Sequence, residues 1–352
     1  MTTSVLDVAR ASYRDLGLYA PDRAPCPIDL SDNTNLWGVP PAAARVARDA
    51  AAAAFTRYPS LYAGDLKRAL ARYAGVPVEA LVTGCGSDDV LDSAIRALAE
   101  PGARIAYPEP SFAMIPIFAR LNGLQGIAVP LRDDRTVDDE ALLRTGARII
   151  YVCSPNNPTG TVTPRATLQR LVAGAPGVVI LDEAYAEFAG GGLAGEAPSY
   201  PNLLVTRTLS KAFGLAGLRI GYAAGAPALV AEVEKSRGPY KVSALAERAA
   251  VAALHEDVSW VHAHVVEARA NRDRLATALR ELGLAPLPSG SNFVLVPVAD
   301  AQAVATRMRE RGVAVRPFSA LPGLGDALRI TVGPWDMMEA ALRALAEALP
   351  CA

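Results

Sequence analysis

Short apolar runs that alternate with helical patterns are the feature of this sequence that most constrains its fold. Runs such as Arg148–Cys153 and Val178–Leu181 are rich in β-branched residues and are bounded by glycine or proline. They are apolar at nearly every position, which is typical of strands that are buried on both faces. Helical periodicity separates the runs, as in residues 88–100 and 112–121. The sequence therefore predicts an α/β fold with a largely parallel sheet covered by helices on both sides.

The character of the chain changes near residue 244, which predicts a second, smaller domain. A long helical segment at 244–282 is followed by short strand-like runs and a closing helix at 337–349. Single hydrophobic cores stop growing at about 250–300 residues, so a chain of 352 residues is expected to form two domains. We predict an N-terminal segment, a large domain and a small α+β domain, with bounds at 1–38, 39–243 and 244–352. The N-terminal segment is expected to pack on the domains or on a partner subunit.

Composition and charge exclude several classes of protein. The 35 Lys and Arg residues balance the 36 Asp and Glu residues, so no overall field attracts nucleic acid or an anionic membrane. The apolar stretches fall far short of the roughly 20 residues of a membrane span, and the N-terminus shows no secretory signal. The four cysteines lie far apart, and His262 and His264 point to different faces of a helical pattern. We therefore expect a cytoplasmic protein without a disulfide framework or a metal site.

A glycine-containing turn follows the strand-like run at 80–83. Gly84 and Gly86 permit a tight turn, and Ser87 and Asp88 begin a helical pattern. The N–H groups at a helix N-terminus face a bound anion, so a phosphate fits there without a charged side chain. A plain turn with capping acids has the same composition, so this motif alone leaves both interpretations open.

Two further polar groups follow buried strands. Asn157 lies in the turn at 154–160, and Asp182 and Tyr185 come directly after the run at 178–181. Ligands of open α/β sheets bind at the carboxyl ends of the strands. A half-buried carboxylate such as that of Asp182 needs a cationic partner, for example a protonated ring nitrogen. The structural alternatives are a plain turn, a capping acid and a core tyrosine.

The segment 206–222 contains a candidate Schiff-base lysine and several candidate phosphate-binding side chains. Lys211 is one of only four lysines and stands between hydroxyl and small apolar residues, with Arg219 eight positions later. A desolvated, electropositive environment favours the neutral amine that a Schiff-base lysine requires. The side chains of Thr208, Ser210 and Arg219 would complete a dianion site with the amides of the glycine turn.

Together these motifs resemble the class I and II aminotransferases of fold type I, and within them the histidinol-phosphate aminotransferases. The resemblance runs from about residue 28 to the C-terminus. It implies a mostly parallel seven-stranded sheet, pyridoxal 5′-phosphate as cofactor and a homodimer with shared active sites. The motifs that carry it are Asn33–Asn35, Arg57–Pro59, Gly84–Asp88, Asn156–Gly160, Asp182–Tyr185 and Thr208–Arg219.

The resemblance also implies a role for each matching residue. Lys211 would bind the cofactor as a Schiff base and move the reacting proton, while Asp182 would keep the ring nitrogen protonated. Asn157 and Tyr185 would hydrogen-bond the 3′ oxygen, and Phe112 would stack on the ring. The cofactor phosphate would lie against Gly86, Ser87, Asp88, Thr208, Ser210, Arg219 and the partner's Tyr58.

Substrate binding is implied for a set that reaches into the second domain. Arg316 and Arg329 match the arginines that bind the substrate anion, which is a phosphate in histidinol phosphate and a carboxylate in glutamate. The implied reaction takes histidinol phosphate and 2-oxoglutarate to imidazole acetol phosphate and glutamate, in histidine biosynthesis. Where relatives carry proline this chain has Leu36. The remaining members of the set are Asn35, Trp37 and Asn157.

Three other functions stay open at this point. An aromatic amino acid aminotransferase or a threonine-phosphate decarboxylase would use the same cofactor and the same Lys211. A nucleotide-binding α/β protein would need only the glycine turn at 84–88. A cofactor-binding regulator of transcription is disfavoured, because it would carry an added DNA-binding region, and this chain has neither the length nor the basic patch for one.

Overall fold

The apolar runs form a seven-stranded sheet in the computed structural model, which describes residues 8, 10–14, 16–18, 24–51 and 53–349. The described strands are β1 (Ile28–Asp29), β2 (Leu81–Cys85), β3 (Arg104–Glu109), β4 (Gln125–Pro130), β5 (Ile149–Cys153), β6 (Val178–Asp182), β7 (Leu203–Thr208), β8 (Ile220–Gly225), β9 (Phe293–Pro297), β10 (Val313–Ala314), β11 (Arg316–Leu321) and β12 (Gly325–Thr331). The large sheet has the order β2-β8-β7-β6-β5-β3-β4. Strand β8 is antiparallel to both neighbours and the other adjacent pairs are parallel. The predicted fold class is confirmed.

Helices of the described chain cover both faces of the large sheet, and others pack on the smaller sheet described below. They are α1 (Pro41–Arg48), α2 (Ala53–Thr56), α3 (Gly64–Ala74), α4 (Gly86–Leu98), α5 (Met114–Leu121), α6 (Asp139–Arg144), α7 (Arg165–Gly174), α8 (Ala186–Ala189), α9 (Pro227–Ser236), α10 (Ala244–Glu256), α11 (Val258–Glu281), α12 (Ala301–Glu310) and α13 (Trp335–Ala348). Helices α4, α5 and α9 pack on one face, and α3 and α7 pack on the other. Neighbouring strand residues alternate between the two faces: Ile150 belongs to one hydrophobic cluster and Tyr151 to the other. Both faces are therefore buried, as the apolar runs predict.

The helical segment expected at 244–282 is divided at Asp257 into α10 and α11. The carboxylate of Asp257 accepts hydrogen bonds from the N–H groups of Ala42, at 2.9 Å, and Ala43, at 3.4 Å. Helix α1 follows Pro40, whose side chain makes no capping hydrogen bond. Asp257 therefore satisfies the first turn of α1 from a distant part of the chain.

A smaller antiparallel sheet has the order β11-β12-β9. Its core joins Val294 and Ile330 to apolar residues of α12 and α13. The N-terminal part of the chain also belongs here, because β1 pairs with β10 and Leu30 is buried in the same cluster. Apolar residues of α10 and the first half of α11 instead pack with the core of the large sheet. The domain bounds stay a prediction.

Among the described residues no helix is long and apolar enough to cross a membrane. The same part of the chain holds no group of three or more His, Cys, Asp and Glu side chains that could bind a metal ion. The cytoplasmic location stays a prediction.

Candidate functional site

One edge of the large sheet collects the motifs that the sequence singled out. Strands β5, β6 and β7 are parallel, so the turns after their carboxyl ends meet at that edge. Strand β8 runs the other way, so Arg219, directly before it, lies at the same edge. The glycine turn at 84–86 joins them, because β2 pairs with β8 in the opposite direction.

Lys211 occupies the loop between β7 and β8. Its Nζ donates a hydrogen bond to the main-chain oxygen of Asp32 at 3.1 Å and lies 5.8 Å from the centre of the Tyr185 ring. Burial, together with the nearby charge of Arg329, lowers the pKa of the Lys211 amine to about 8. A larger fraction of this amine than of an ordinary lysine is therefore neutral, and hence nucleophilic, near neutral pH.

Asp182 ends strand β6 and is 4% exposed. Its carboxylate accepts hydrogen bonds from the Tyr151 hydroxyl at 2.9 Å and from the Ala184 N–H at 3.1 Å. Both donors are neutral, and burial raises the pKa of Asp182 to about 6. A cationic group brought against this carboxylate would lower the cost of its burial.

The glycine turn and the arginine form a cradle without room for a side chain. Gly86 opens α4 with φ of +84°, and a Cβ built there would lie 2.4 Å from the guanidinium of Arg219. A Cβ on Gly221 would lie 2.2 Å from the main-chain nitrogen of Ser87. The guanidinium is 3.4 Å from a carboxylate oxygen of Asp88, whose pKa is raised by burial. Main-chain amides at a helix N-terminus and a fixed positive charge thus line one recess, a combination that favours an anion.

Two hydroxyl groups line the same recess. The Thr208 hydroxyl donates to Ser210 Oγ at 2.9 Å, and the main-chain N–H of Ser210 donates back to Thr208 Oγ1 at 3.1 Å. Thr208 pairs with Gly221 across β7 and β8, which places Thr208 beside the glycine cradle, and its hydrogen bonds keep Ser210 next to it. The structure therefore brings together all six residues predicted to hold a phosphate within one chain.

The two candidate substrate arginines stand opposite each other. Arg316 and Arg329 are register partners in β11 and β12. Arg329 donates hydrogen bonds of 2.6 Å to Asn157 Oδ1 and to the main-chain oxygen of Ser31. Paired strands hold both guanidinium groups on one face of the small sheet, with one of them tied to the turn of the large sheet that carries Asn157. This arrangement could bind an anion between the two sheets.

Three other predicted residues lie around this centre. The loop of Phe112 is fixed beside the Asn157 turn, because the Ser111 hydroxyl donates to Asn156 Oδ1 at 2.7 Å. Asn35 Nδ2 donates to the main-chain oxygen next to Lys211, that of Ala212, at 3.0 Å. Trp37 lies two residues after Asn35, and its main-chain N–H donates a hydrogen bond to Asn35 Oδ1 at 2.8 Å.

Tyr58 is placed differently from the other predicted residues. It is 84% exposed, and its ring stacks on Tyr240 with 5.0 Å between the ring centres. Within one chain it therefore belongs to the surface and not to the cluster around Lys211.

The sequence analysis assigned no role to several contributors to the site. Tyr151 is the donor to Asp182, and a tyrosine inside an otherwise apolar buried strand was a signal that its hydroxyl needs a partner. Asn33 donates to the Tyr185 hydroxyl at 3.0 Å, and burial raises the pKa of that tyrosine well above its usual value. The carbonyls of Ser31 and Asp32 have no signature in a sequence, because every residue carries the same group.

Comparisons with known proteins identify the family of this chain. The family "Aminotransferase class I and II" matches residues 26–347. A histidinol-phosphate aminotransferase from Chromobacterium violaceum is 39% identical across 98% of this chain and 99% of its own length. One from Roseiflexus castenholzii is 40% identical across 91% of this chain and 89% of its own. The crystal structure of histidinol-phosphate aminotransferase from Sinorhizobium meliloti in complex with pyridoxal-5′-phosphate superposes with a TM-score of 0.84, at 29% identity, covering 92% of this chain and 91% of that one.

Proposed function

Because the chain belongs to the class I and II aminotransferase family, we propose that it transfers the amino group of histidinol phosphate to 2-oxoglutarate. The products are imidazole acetol phosphate and glutamate, and the cofactor is pyridoxal 5′-phosphate. Relatives named for this activity match nearly the whole chain, and a similar solved structure contains this cofactor.

The residues present fit this cofactor. The cradle that a Cβ on Gly86 would fill suits a phosphate, since it offers main-chain amides and the guanidinium of Arg219. Asp182 is a buried carboxylate with neutral donors, which suits a protonated ring nitrogen. The buried amine of Lys211 has the lowered pKa that covalent attachment requires.

Each of these side chains has a defined task. When bound, pyridoxal phosphate supplies a protonated ring that withdraws electrons from the reacting carbon of the substrate. Asp182 holds the proton on the ring nitrogen, and Asn157 and Tyr185 orient the 3′ oxygen. With the cofactor bound, the Lys211 amine would remove the proton from the substrate Cα and deliver it to C4′ of the cofactor.

Arg316 and Arg329 bind the anionic end of each substrate. The phosphate of histidinol phosphate and the side-chain carboxylate of 2-oxoglutarate enter the same pocket in the two half-reactions. The observation that carries the proposal is the convergence of groups from both sheets: the Lys211 amine, the Tyr185 ring, the Asp32 carbonyl and Arg329 beside Asn157.

Parallel assays with three substrates test the proposal. The purified protein, loaded with pyridoxal phosphate, is assayed for glutamate formation from 2-oxoglutarate with histidinol phosphate or phenylalanine as donor. Threonine phosphate is assayed in parallel for release of CO₂. We expect kcat/KM for histidinol phosphate to exceed that for phenylalanine, which has no phosphate, by about 10- to 150-fold, since a hydrogen bond to a charged group is worth about 1.5–3 kcal/mol. Threonine phosphate should release no CO₂ above the background without enzyme. Preference for phenylalanine, or decarboxylation of threonine phosphate, would replace the proposal by the corresponding alternative.

Gly86→Ala tests the phosphate cradle. We expect the dissociation constant for pyridoxal phosphate to rise at least about tenfold, because the new methyl group meets Arg219 at 2.4 Å and the side chain disfavours positive φ by about 1–2 kcal/mol. Gly102→Ala is the matched control: its φ is +91° and nothing lies within 4 Å of a built Cβ. The control carries the same backbone strain, so it should lose stability while keeping its affinity. Equal affinity in both variants would contradict the cradle.

We also propose that the protein is a homodimer. Large apolar side chains that are exposed in one chain cluster around the segment 55–62. An open cleft of about 610 Å³ adjoins this segment, lined by residues 58–60, by charged residues of α3 and by α10. An exposed apolar cluster of this kind is typical of a protein interface. A second copy covering it would bring Tyr58 out of solvent, as a shared active site requires. The members of this aromatic patch are Phe55, Tyr58, Leu61, Tyr62 and Tyr240.

Light scattering tests the dimer. The wild-type protein should have twice the 36.8 kDa mass of one chain, and Leu61→Arg should shift it toward a monomer, because the new charge would be buried in the interface. Val266→Arg is the control, since Val266 is exposed on α11, outside the patch. A wild-type protein that stays monomeric at micromolar concentration would rule the dimer out.

A further inference from the structure

Asn33 is a buried residue at the centre of the site that the proposed reaction does not yet use. It is 1% exposed, and its Nδ2 donates a hydrogen bond of 3.0 Å to the hydroxyl oxygen of Tyr185. The two residues are 152 positions apart in the chain.

Two residues near the start of β9 and at the end of β12 hold Asn33 in one orientation. The Asn33 N–H donates to Thr331 Oγ1 at 3.0 Å, and the Thr331 hydroxyl donates to Asn33 Oδ1 at 3.3 Å. Asn292 Nδ2 donates to the main-chain oxygen of Asn33 at 3.1 Å. The backbone has φ of +55°, which asparagine adopts more readily than most residues. Since Oδ1 is bound by Thr331, the amide nitrogen is the group that faces Tyr185.

This orientation decides what the tyrosine can do. A hydroxyl carries a single proton, and an amide NH₂ can only donate. With Asn33 donating to its oxygen, Tyr185 must give its own proton to another acceptor. On the side of Lys211, 5.8 Å from the ring centre, that acceptor is the cofactor's 3′ oxygen under the proposed function.

We infer that Asn33 is a positioning residue that directs the proton of Tyr185 to the 3′ oxygen of pyridoxal phosphate. The inference rests on the proposed function. It also connects the two halves of the site: Thr331 lies two residues after Arg329 on β12, so the two side chains share a face, and Arg329 binds the main chain at Ser31. The strand that binds the substrate anion thus also fixes the group that orients Tyr185.

Asn33→Asp tests this by keeping the shape while replacing the donor with an acceptor. The proton of Tyr185 should turn to the new carboxylate, and the 3′ oxygen, which keeps Asn157 but loses Tyr185 as a donor, becomes more basic. We expect the pH midpoint of the visible absorbance of the loaded protein to rise by about 0.5 to 1 unit, the shift that the loss of one hydrogen bond to the deprotonated form produces. The dissociation constant for pyridoxal phosphate should rise about two- to tenfold, as for the loss of one hydrogen bond.

Asn202→Asp is the matched control. Its Nδ2 donates to the main-chain oxygens of Val172 and Gly177, away from the site. This variant makes the same chemical change at a partly buried amide, so it should alter thermal stability without moving the absorbance midpoint.

A double variant separates positioning from a structural effect. Tyr185→Phe has no proton to direct, so it should raise the midpoint by itself, and adding Asn33→Asp should raise it no further. Asn33→Gly removes the side-chain amide at a position whose positive φ glycine adopts readily. It should also raise the absorbance midpoint. It replaces Asn33→Asp in the test if the aspartate variant does not fold. Additive shifts in the double variant would contradict the inference.

Different experimental results would overturn the inference and the proposed function. If Tyr185→Phe raises the midpoint while neither Asn33 variant does, the inference is wrong and the proposed function stands. If the wild-type protein develops no visible band with pyridoxal phosphate, both are overturned.

Discussion

Lys211→Ala should lower the rate of amino transfer by at least about 10³-fold, because it removes both the covalent attachment of the cofactor and the group that moves the substrate proton. The amine lies where no other described lysine can replace it: Lys67, Lys235 and Lys241 are engaged with Glu234, Glu232 and Asp89. The visible band of the loaded protein should disappear as well. Stopped-flow or steady-state glutamate formation measures the rate, and absorbance measures the attachment.

Lys235→Ala is the control for this prediction. Lys235 is exposed and paired with Glu232, so its loss should change neither the band nor the rate. Turnover of Lys211→Ala within tenfold of wild type would remove the basis of the proposed function.

The lowered pKa of Lys211 adds a pH dependence. With a pKa of about 8, about one amine in ten is neutral at pH 7, far more than for an ordinary lysine. Covalent capture of pyridoxal phosphate by the cofactor-depleted protein should therefore accelerate as the pH rises from 6 through about 8, and then level off. A rate that keeps rising beyond pH 9.5 would mean that the amine is not perturbed.

Arg329→Ala should raise KM about 10- to 150-fold for histidinol phosphate and for 2-oxoglutarate together, which corresponds to about 1.5–3 kcal/mol for a hydrogen-bonded charge. Both half-reactions use one anion pocket, so the two substrates should be affected alike. Arg329 also holds Asn157 Oδ1 at 2.6 Å and helps to lower the pKa of Lys211. In this variant the pH at which Lys211 captures pyridoxal phosphate at half its maximal rate should therefore rise.

Two comparisons sharpen the arginine experiment. Arg311→Ala removes an exposed arginine that pairs with Glu347, and it should leave both KM values unchanged. Arg329→Lys keeps the charge but loses the simultaneous contacts to Asn157 and Ser31. Compared with Arg329→Ala, it should bring the pKa of Lys211 close to the wild-type value while the KM values stay raised. KM values within about twofold of wild type for Arg329→Ala would refute the anion pocket.

Local pattern was sufficient to predict much of the fold. The apolar runs at 148–153 and 178–181 predicted strands buried on both faces, since a segment with no polar side has to be covered twice. The reversed direction of β8 was not predicted, because strand direction depends on how the chain between two strands returns and not on their composition. The interruption at Asp257 was also missed, since its cause is the first turn of α1, more than 200 residues earlier.

The site likewise has features that the local sequence predicts and features that depend on the tertiary structure. The sequence by itself determined which chemistry the chain carries: an amine at Lys211, a carboxylate at Asp182 and a glycine turn at 84–86, each after a strand whose carboxyl end reaches a common edge. Their spacing along the chain identified them, because each motif is a local turn. The individual roles of these residues stay predictions that the variants above test.

Only the tertiary structure decided the surroundings that make those groups work. Arg316 faces Arg329 through the register of two strands, Tyr151 supports Asp182 from the neighbouring strand, and Asn33 reaches Tyr185 across the two sheets. The lowered pKa of Lys211 likewise comes from burial and from an arginine 118 positions away. Burial, electrostatic fields and hydrogen-bond direction depend on distances between atoms, and those distances exist only once the chain has folded.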